Sequence, residues 1–217
     1  TGSWLNTYNF STSSRRSNAY ANIYNSNEYS DGVTIFSSFF DYFSAIIDKD
    51  GNEIWNTADN DIIYYNTDYF GQLFGCYVDN SLSNFLPGVE FSIDNEFIWE
   101  EPNEEFLHHE LIKLKDGNYL GIVETMQMGP IPIGYWTPYF QSAGYVADGV
   151  TIEFPWIGDK IVIWDKNTSQ VIWEWNTFDY LSPDEYNPSW IGENFDWTHS
   201  NSVYYNSQNN IVYVSIR

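Results

Sequence analysis

Lys160-Ile161-Val162-Ile163-Trp164 runs into Asp165-Lys166-Asn167-Thr168-Ser169, and Gln170-Val171-Ile172-Trp173-Glu174-Trp175 leads away from it. Two runs rich in β-branched and aromatic residues, split by a short polar cluster, predict a β-hairpin. The pattern also occurs earlier. Ser44-Ala45-Ile46-Ile47-Asp48 meets a turn at Asp50-Gly51, and Glu53-Ile54-Trp55 returns. Asp-Gly suits the positive backbone angles that a tight hairpin demands. Phe97-Ile98-Trp99-Glu100 is a third returning strand, and Val33-Thr34-Ile35-Phe36 reads as a strand ahead of the first hairpin. Repeated short hairpins predict an all-β chain of the β-propeller type, with about three to four blades across residues 31–217. The Trp residues that end the returning strands are expected to pack between blades. Residues 1–30 are polar and read as an irregular or edge-strand segment. Gly129–Pro138 holds three prolines and reads as a long loop over one face, and Ser182–Asn187 as a single helical turn begun by Pro183.

Composition narrows the function. The chain has 217 residues with a net charge of −22, and only eight are Lys or Arg. Beyond Arg15-Arg16 no basic cluster exists to neutralise phosphates, so nucleic acid and anionic membrane surfaces are excluded as partners. No apolar run is long enough to span a bilayer. Aromatic residues make up 20% of the chain, which suits pleated half-buried strands first and aryl- or sugar-binding surfaces second. The single cysteine, Cys76, lies in an aromatic run and reads as a buried structural thiol. Asp48-Lys49-Asp50-Gly51-Asn52-Glu53 starts like a calcium loop, but Asp59 stands at its twelfth position and the glycine comes too early. It reads as a hairpin turn. No cofactor is called for, and the acidity leaves calcium open in a structural role.

The three histidines fall in two similar hairpins. Leu107-His108-His109-Glu110-Leu111 precedes the turn Lys115–Asn118 and the strand Tyr119–Val123. Asp196-Trp197-Thr198-His199-Ser200-Asn201-Ser202 precedes a strand, the turn Asn206–Asn210 and the strand Ile211–Val214. Equivalent places in two blades put His109 and His199 at one common site. Strand alternation lets only one of His108 and His109 face it. Three or four converging ligands are needed for zinc, so no metal ligand is assigned.

Asp196-Trp197-Thr198-His199-Ser200-Asn201-Ser202, followed by Ser215-Ile216-Arg217, resembles a signature of the bacterial aryl-sulfate sulfotransferases. The interval from His199 to Arg217 agrees with that family, and so do the hairpin His108–Leu120 and the segments Asp31–Phe36 and Ile47–Trp55. The resemblance spans Gly32 to Arg217. It implies a six-bladed propeller in the periplasm or outside the cell. It also implies transfer of a sulfuryl group from an aryl sulfate to a phenol without a nucleotide donor. Carried over by position, His199, Arg217 and His109 act on the sulfuryl group, and His108, Asn201 and Trp197 contribute to binding. Arg offers a rigid fork of donors to sulfate oxygens, and an imidazole serves as donor or nucleophile according to its protonation. The family's transiently sulfated His follows the Ser-x-Arg strand, so none of these three histidines matches it, and the chain is expected to be incomplete as a transferase. The alternative is a non-catalytic extracellular propeller that binds or self-assembles through open strand edges as a homo-oligomer. Nothing in the spacing singles out a carbohydrate site.

Overall fold

The computed structural model describes residues 14–21, 32–68, 71–79, 86–102, 105–182 and 196–216. The chain divides into two compact units, Thr1–Tyr64 and Tyr65–Arg217. In the first, β1 (Thr34–Ser38), β2 (Phe43–Ile47) and β3 (Glu53–Asn56) form an antiparallel sheet in sequence order. β2 lies in the middle and is buried at every residue. Residues 14–21 have no helix or strand, and the rest of the 1–30 segment lies outside the described residues.

β4 (Ile62–Thr67) starts at the division between the units. With β5 (Leu73–Tyr77), β6 (Gly88–Phe91) and β7 (Phe97–Glu100) it forms a four-stranded sheet, again in sequence order. The next sheet contains β8 (Leu107–Lys113), β9 (Tyr119–Pro130), β10 (Ile152–Trp164) and β11 (Val171–Asn176), each paired with its sequence neighbour. A hairpin of β12 (Ser202–Asn206) and β13 (Ile211–Ser215) follows. Two short helices, α1 (Thr137–Ser142) and α2 (Thr177–Tyr180), interrupt the strands. The fold is therefore all-β, built from antiparallel meanders, and none of the described sheets closes on itself. No helix among the described residues is long and apolar enough to cross a membrane.

The polar turns share one device. Asp48 Oδ1 accepts from the amides of Asp50 and Asn52 at 2.9 and 2.8 Å, while Gly51 takes a φ of +80°. Asp165 Oδ1 accepts from the amides of Asn167 and Thr168, and Asp116 Oδ1 from that of Asn118. A short carboxylate here imitates a backbone acceptor, which is why Asp recurs at the turns. Hydrogen bonding to Asn52 holds the Asp48 carboxyl below its ordinary range. The acidic stretch after Ile47 is a hairpin turn, as its spacing indicated.

Two parts of the architecture differ from the sequence reading. β4, β5 and β6 were not foreseen. Leu73-Phe74-Gly75-Cys76 of β5 is buried throughout, and a strand covered on both faces has no alternation to read. The expected loop over Gly129–Pro138 is in part strand. β9 pairs with β10 as far as Pro130, opposite Ile152, with a register shift between Ile152 and Phe154, and α1 begins at Thr137. The Trp156 indole explains the continuation. Its Nε1 donates to Pro130 O at 3.0 Å, and its ring lies so close to Gly129 that an added Cβ would stand 3.0 Å from it. The turn read at Ser182–Asn187 lies outside the described residues after Ser182.

Two apolar clusters hold the second unit. Leu120, Ile122, Ile161 and Val203 form one, while Ile131, Phe140, Ala147, Phe154, Trp156 and Trp197 form the other. Between the β4–β7 and β8–β11 sheets, Trp99 stacks on Tyr119 with ring centroids 3.9 Å apart, and Trp164 lies 5.8 Å from Trp99. Of the tryptophans on returning strands, Trp99 thus packs between sheets, whereas Trp173 is 40% exposed. Beneath the stack, the buried Glu90 carboxylate pairs with Lys113 Nζ at 2.9 Å and accepts from Tyr119 Oη.

Gly121 sits where a Cβ would lie 2.8 Å from Leu107 Cδ1 and 3.0 Å from the Trp164 ring, both fully buried. Gly121→Ala is expected to lower stability by about 1–3 kcal/mol through overpacking, measured by urea unfolding. Cys76 is fully buried, and burial pushes its thiol up to about 12. A thiol reagent at neutral pH is expected to leave it unlabelled in the native chain and to label it fully in denaturant.

Candidate functional site

The site grows from a break in β8. Strand pairing runs from Leu107 opposite Val123 to Leu111 opposite Gly121, so three residues of β8 face one of β9. His109, at the centre of this bulge, has a φ of +63°. A bulge re-aims side chains that alternation would separate. The expectation that only one of His108 and His109 faces the site is therefore corrected: their rings lie 4.0 Å apart, centroid to centroid. His199 joins them, 4.8 Å from His108 and 5.2 Å from His109. A ligand nitrogen of each lies within 4.8 Å of the other two, the geometry of a group able to hold a metal ion.

Each of two rings is held by a carboxylate. Asp159 on β10 is fully buried, and its Oδ1 lies 3.3 Å from His108 Nδ1. Its Oδ2 accepts from Thr198 Oγ1 at 2.6 Å and from Ser200 N at 2.8 Å. Burial raises the Asp159 carboxyl, but the bonds from His108, Thr198 and Ser200 outweigh it and hold the group below its ordinary value. Gly158 lets α2 approach at this point, since an added Cβ would stand 2.8 Å from Thr177 Oγ1, which accepts from the Asp159 amide. His199 is fixed by Asp196, whose Oδ1 accepts the His199 amide at 3.1 Å and whose Oδ2 bonds Nδ1. Both Nδ1 atoms are thus engaged, and Nε2 is the nitrogen left free on His108 and His199.

The loop that carries His199 is anchored on both sides. Trp197 donates its amide to Ile157 O at 2.8 Å, next to a parallel bridge between Ile157 and Asp196. The Trp197 side chain is 5% exposed and lies in the core against Phe178. Asn201 is exposed and donates from Nδ2 to His199 O at 2.7 Å, while its amide bonds Ser215 O. Glu110 accepts the Val203 amide at 2.6 Å. Arg217, assigned to the sulfuryl group from the sequence, lies outside the described residues.

Residues 144–217 match the family described as arylsulfotransferase (ASST). The similarity covers that segment alone. No curated protein and no solved structure matches the chain. The matched segment supplies Asp159, Asp196, Thr198 and His199, and β8, which precedes it, supplies His108 and His109. Sequence reasoning had not given Asp159 a role. Its signal was present: an acid between Ile157-Gly158 and Lys160-Ile161, inside a strand whose neighbouring residues are mostly apolar. Such an acid needs dedicated donors. Glu124, whose pKa is raised by burial and then by Asp196, adds a further carboxylate within electrostatic reach of the histidines.

His109 is the exposed member of the trio. Desolvation, with the neighbouring His108 and His199, lowers its pKa from 6.5 to about 4. Between these two values the unfolded chain binds a proton at this position that the folded chain does not. His109 therefore makes stability rise with pH through that window, and its contribution is lost as pH falls from 6.5 towards 4. In the metal-free chain, NMR titration is expected to show one imidazole titrating near 4, absent in His109→Gln. The variant is also expected to have a flatter stability profile than the native chain over the same window.

Proposed function

We propose that the histidine site handles the sulfuryl group of an aryl sulfate and transfers it to a phenolic acceptor without a nucleotide donor. The observation that carries this reading is the convergence of three imidazoles beside a segment that matches the arylsulfotransferase family, two of them oriented by carboxylates. During transfer the sulfuryl group spreads negative charge over its equatorial oxygens, and donors already in place stabilise it without reorganisation. A ring whose Nδ1–H is held by Asp presents Nε2 as a lone pair when neutral and as a donor when protonated. His199 thus serves for binding a sulfate oxygen and for protonating the departing phenolate. His199 and His109 are the proposed contacts to the sulfuryl oxygens, with Arg217 as the third and His108 behind them. Trp197 and Asn201 act by holding the loop that carries His199.

The same reading extends to the architecture and location. Three successive meanders and a following hairpin, each of neighbours in sequence, are what consecutive propeller blades look like, and they support a β-propeller. A periplasmic or extracellular location accords with the reading. The substrates are an aryl sulfate and a phenol.

The test supplies 4-nitrophenyl sulfate and a phenol to the protein isolated from its source, and follows nitrophenolate release with and without acceptor. Acceptor-dependent release is expected, and His199→Ala is expected to reduce kcat/KM by about 100-fold or more. Release that ignores the acceptor, or none at all, would leave the binding or self-assembling module as the better account.

A further inference from the structure

We propose that His108, His109 and His199 form a binding site for a divalent transition-metal ion of the zinc type. Three imidazoles constitute one of the donor sets that zinc uses when a fourth position stays open for water or substrate. The trio brings a ligand nitrogen from each ring within 4.8 Å of the others. More telling is what stands behind the rings. His108 Nδ1 is bonded to Asp159 and His199 Nδ1 to Asp196, so both rings are left with Nε2 to ligate. A carboxylate on the far nitrogen of a metal-binding histidine sets its tautomer, orients its ring and raises its basicity. Asp159 is itself tied down by Thr198 Oγ1 and Ser200 N, so the support is rigid.

Charge argues in the same direction. Asp159 and Asp196 act electrostatically on His109, Glu124 interacts with His108 and His199, and the chain as a whole carries −22. A dication at this site meets imidazoles backed by negative charge. The bulge in β8 gives two adjacent residues to one centre, which a regular strand cannot do. Tetrahedral ligation at about 2.0–2.1 Å requires nitrogens roughly 3.3 Å apart, so the trio contracts on loading. His109, exposed and on the bulge, is the ligand with room to move. The open fourth position would accept a water or an anionic oxygen.

The experiment uses the full 217-residue chain without a histidine tag, stripped with chelator and titrated with Co²⁺, then with Zn²⁺. Visible absorption of tetrahedral Co²⁺ is expected to saturate at one equivalent and to be abolished by one equivalent of Zn²⁺. Zn²⁺ is also expected to raise Tm. Asp196→Asn is expected to weaken binding by about 10- to 100-fold while keeping the Co²⁺ spectrum. His109→Ala, its fold checked by circular dichroism, is expected to weaken binding further and remove the tetrahedral bands. X-ray absorption at the zinc edge of the native complex reads the imidazole scatterers independently of any variant's folding, and three are expected. Absence of both the Co²⁺ bands and the Tm shift overturns the proposal. So does binding that is unchanged in His109→Ala, which would place the ion elsewhere. All these readouts report binding, so their failure leaves sulfuryl transfer to its own assay.

Discussion

The buried carboxylate of Asp159 is the constraint on which the site depends. It ties three pieces of chain to one point: β8 through His108, the loop before β12 through Thr198 and Ser200, and its own strand β10. An ionised carboxylate without these donors would be strongly destabilising at full burial, so the strand tolerates Asp159 only when the loop and His108 are in place. Burial of Asp159 and assembly of the histidine cluster are thus coupled. His199 then follows, because it lies between two residues that bond Asp159 and is itself held by Asp196.

The acidity has two different origins. Most conspicuous are the turn acids, such as Asp48, Asp116 and Asp165, whose oxygens accept amides of their own turns. They are structural and local, and a screened surface of this kind does not recruit ligands at a distance. Asp159, Asp196 and Glu124 are different, because they surround three imidazoles with little cationic charge nearby. The local field at the histidines therefore differs from what a count of charges conveys. It also separates two roles for the site, a direct grip on an anion and a grip mediated by a bound cation, and both converge on the same three rings.

The bulge at His109 shows how a small backbone irregularity creates chemistry. Regular pairing would have placed His108 and His109 on opposite faces of the β8–β11 sheet. Three residues against one, with a left-handed residue between, bring both to one side. Strain of this kind persists where surrounding contacts compel it, and here Glu110 within the bulge is bonded to the Val203 amide and Leu111 beside it is buried in the sheet.

Hairpins, turn chemistry and the all-β class were legible in the sequence because they depend on neighbours only a few residues apart. Asp50-Gly51 makes its turn whatever surrounds it, and Lys160–Trp175 pairs as its alternation indicates. The resemblance of the His199 segment was legible for the same reason, as a contiguous string. β5 was not, since burial on both faces erases periodicity, nor was the strand through Gly129, which depends on the distant Trp156. The role of Asp159 and the meeting of three histidines belong to tertiary structure alone. They require residues 108, 159 and 199 to come together across strands, and a bulge whose position no local pattern reveals. Local geometry is written in adjacent residues, whereas a site of converging side chains exists only once the sheets have packed.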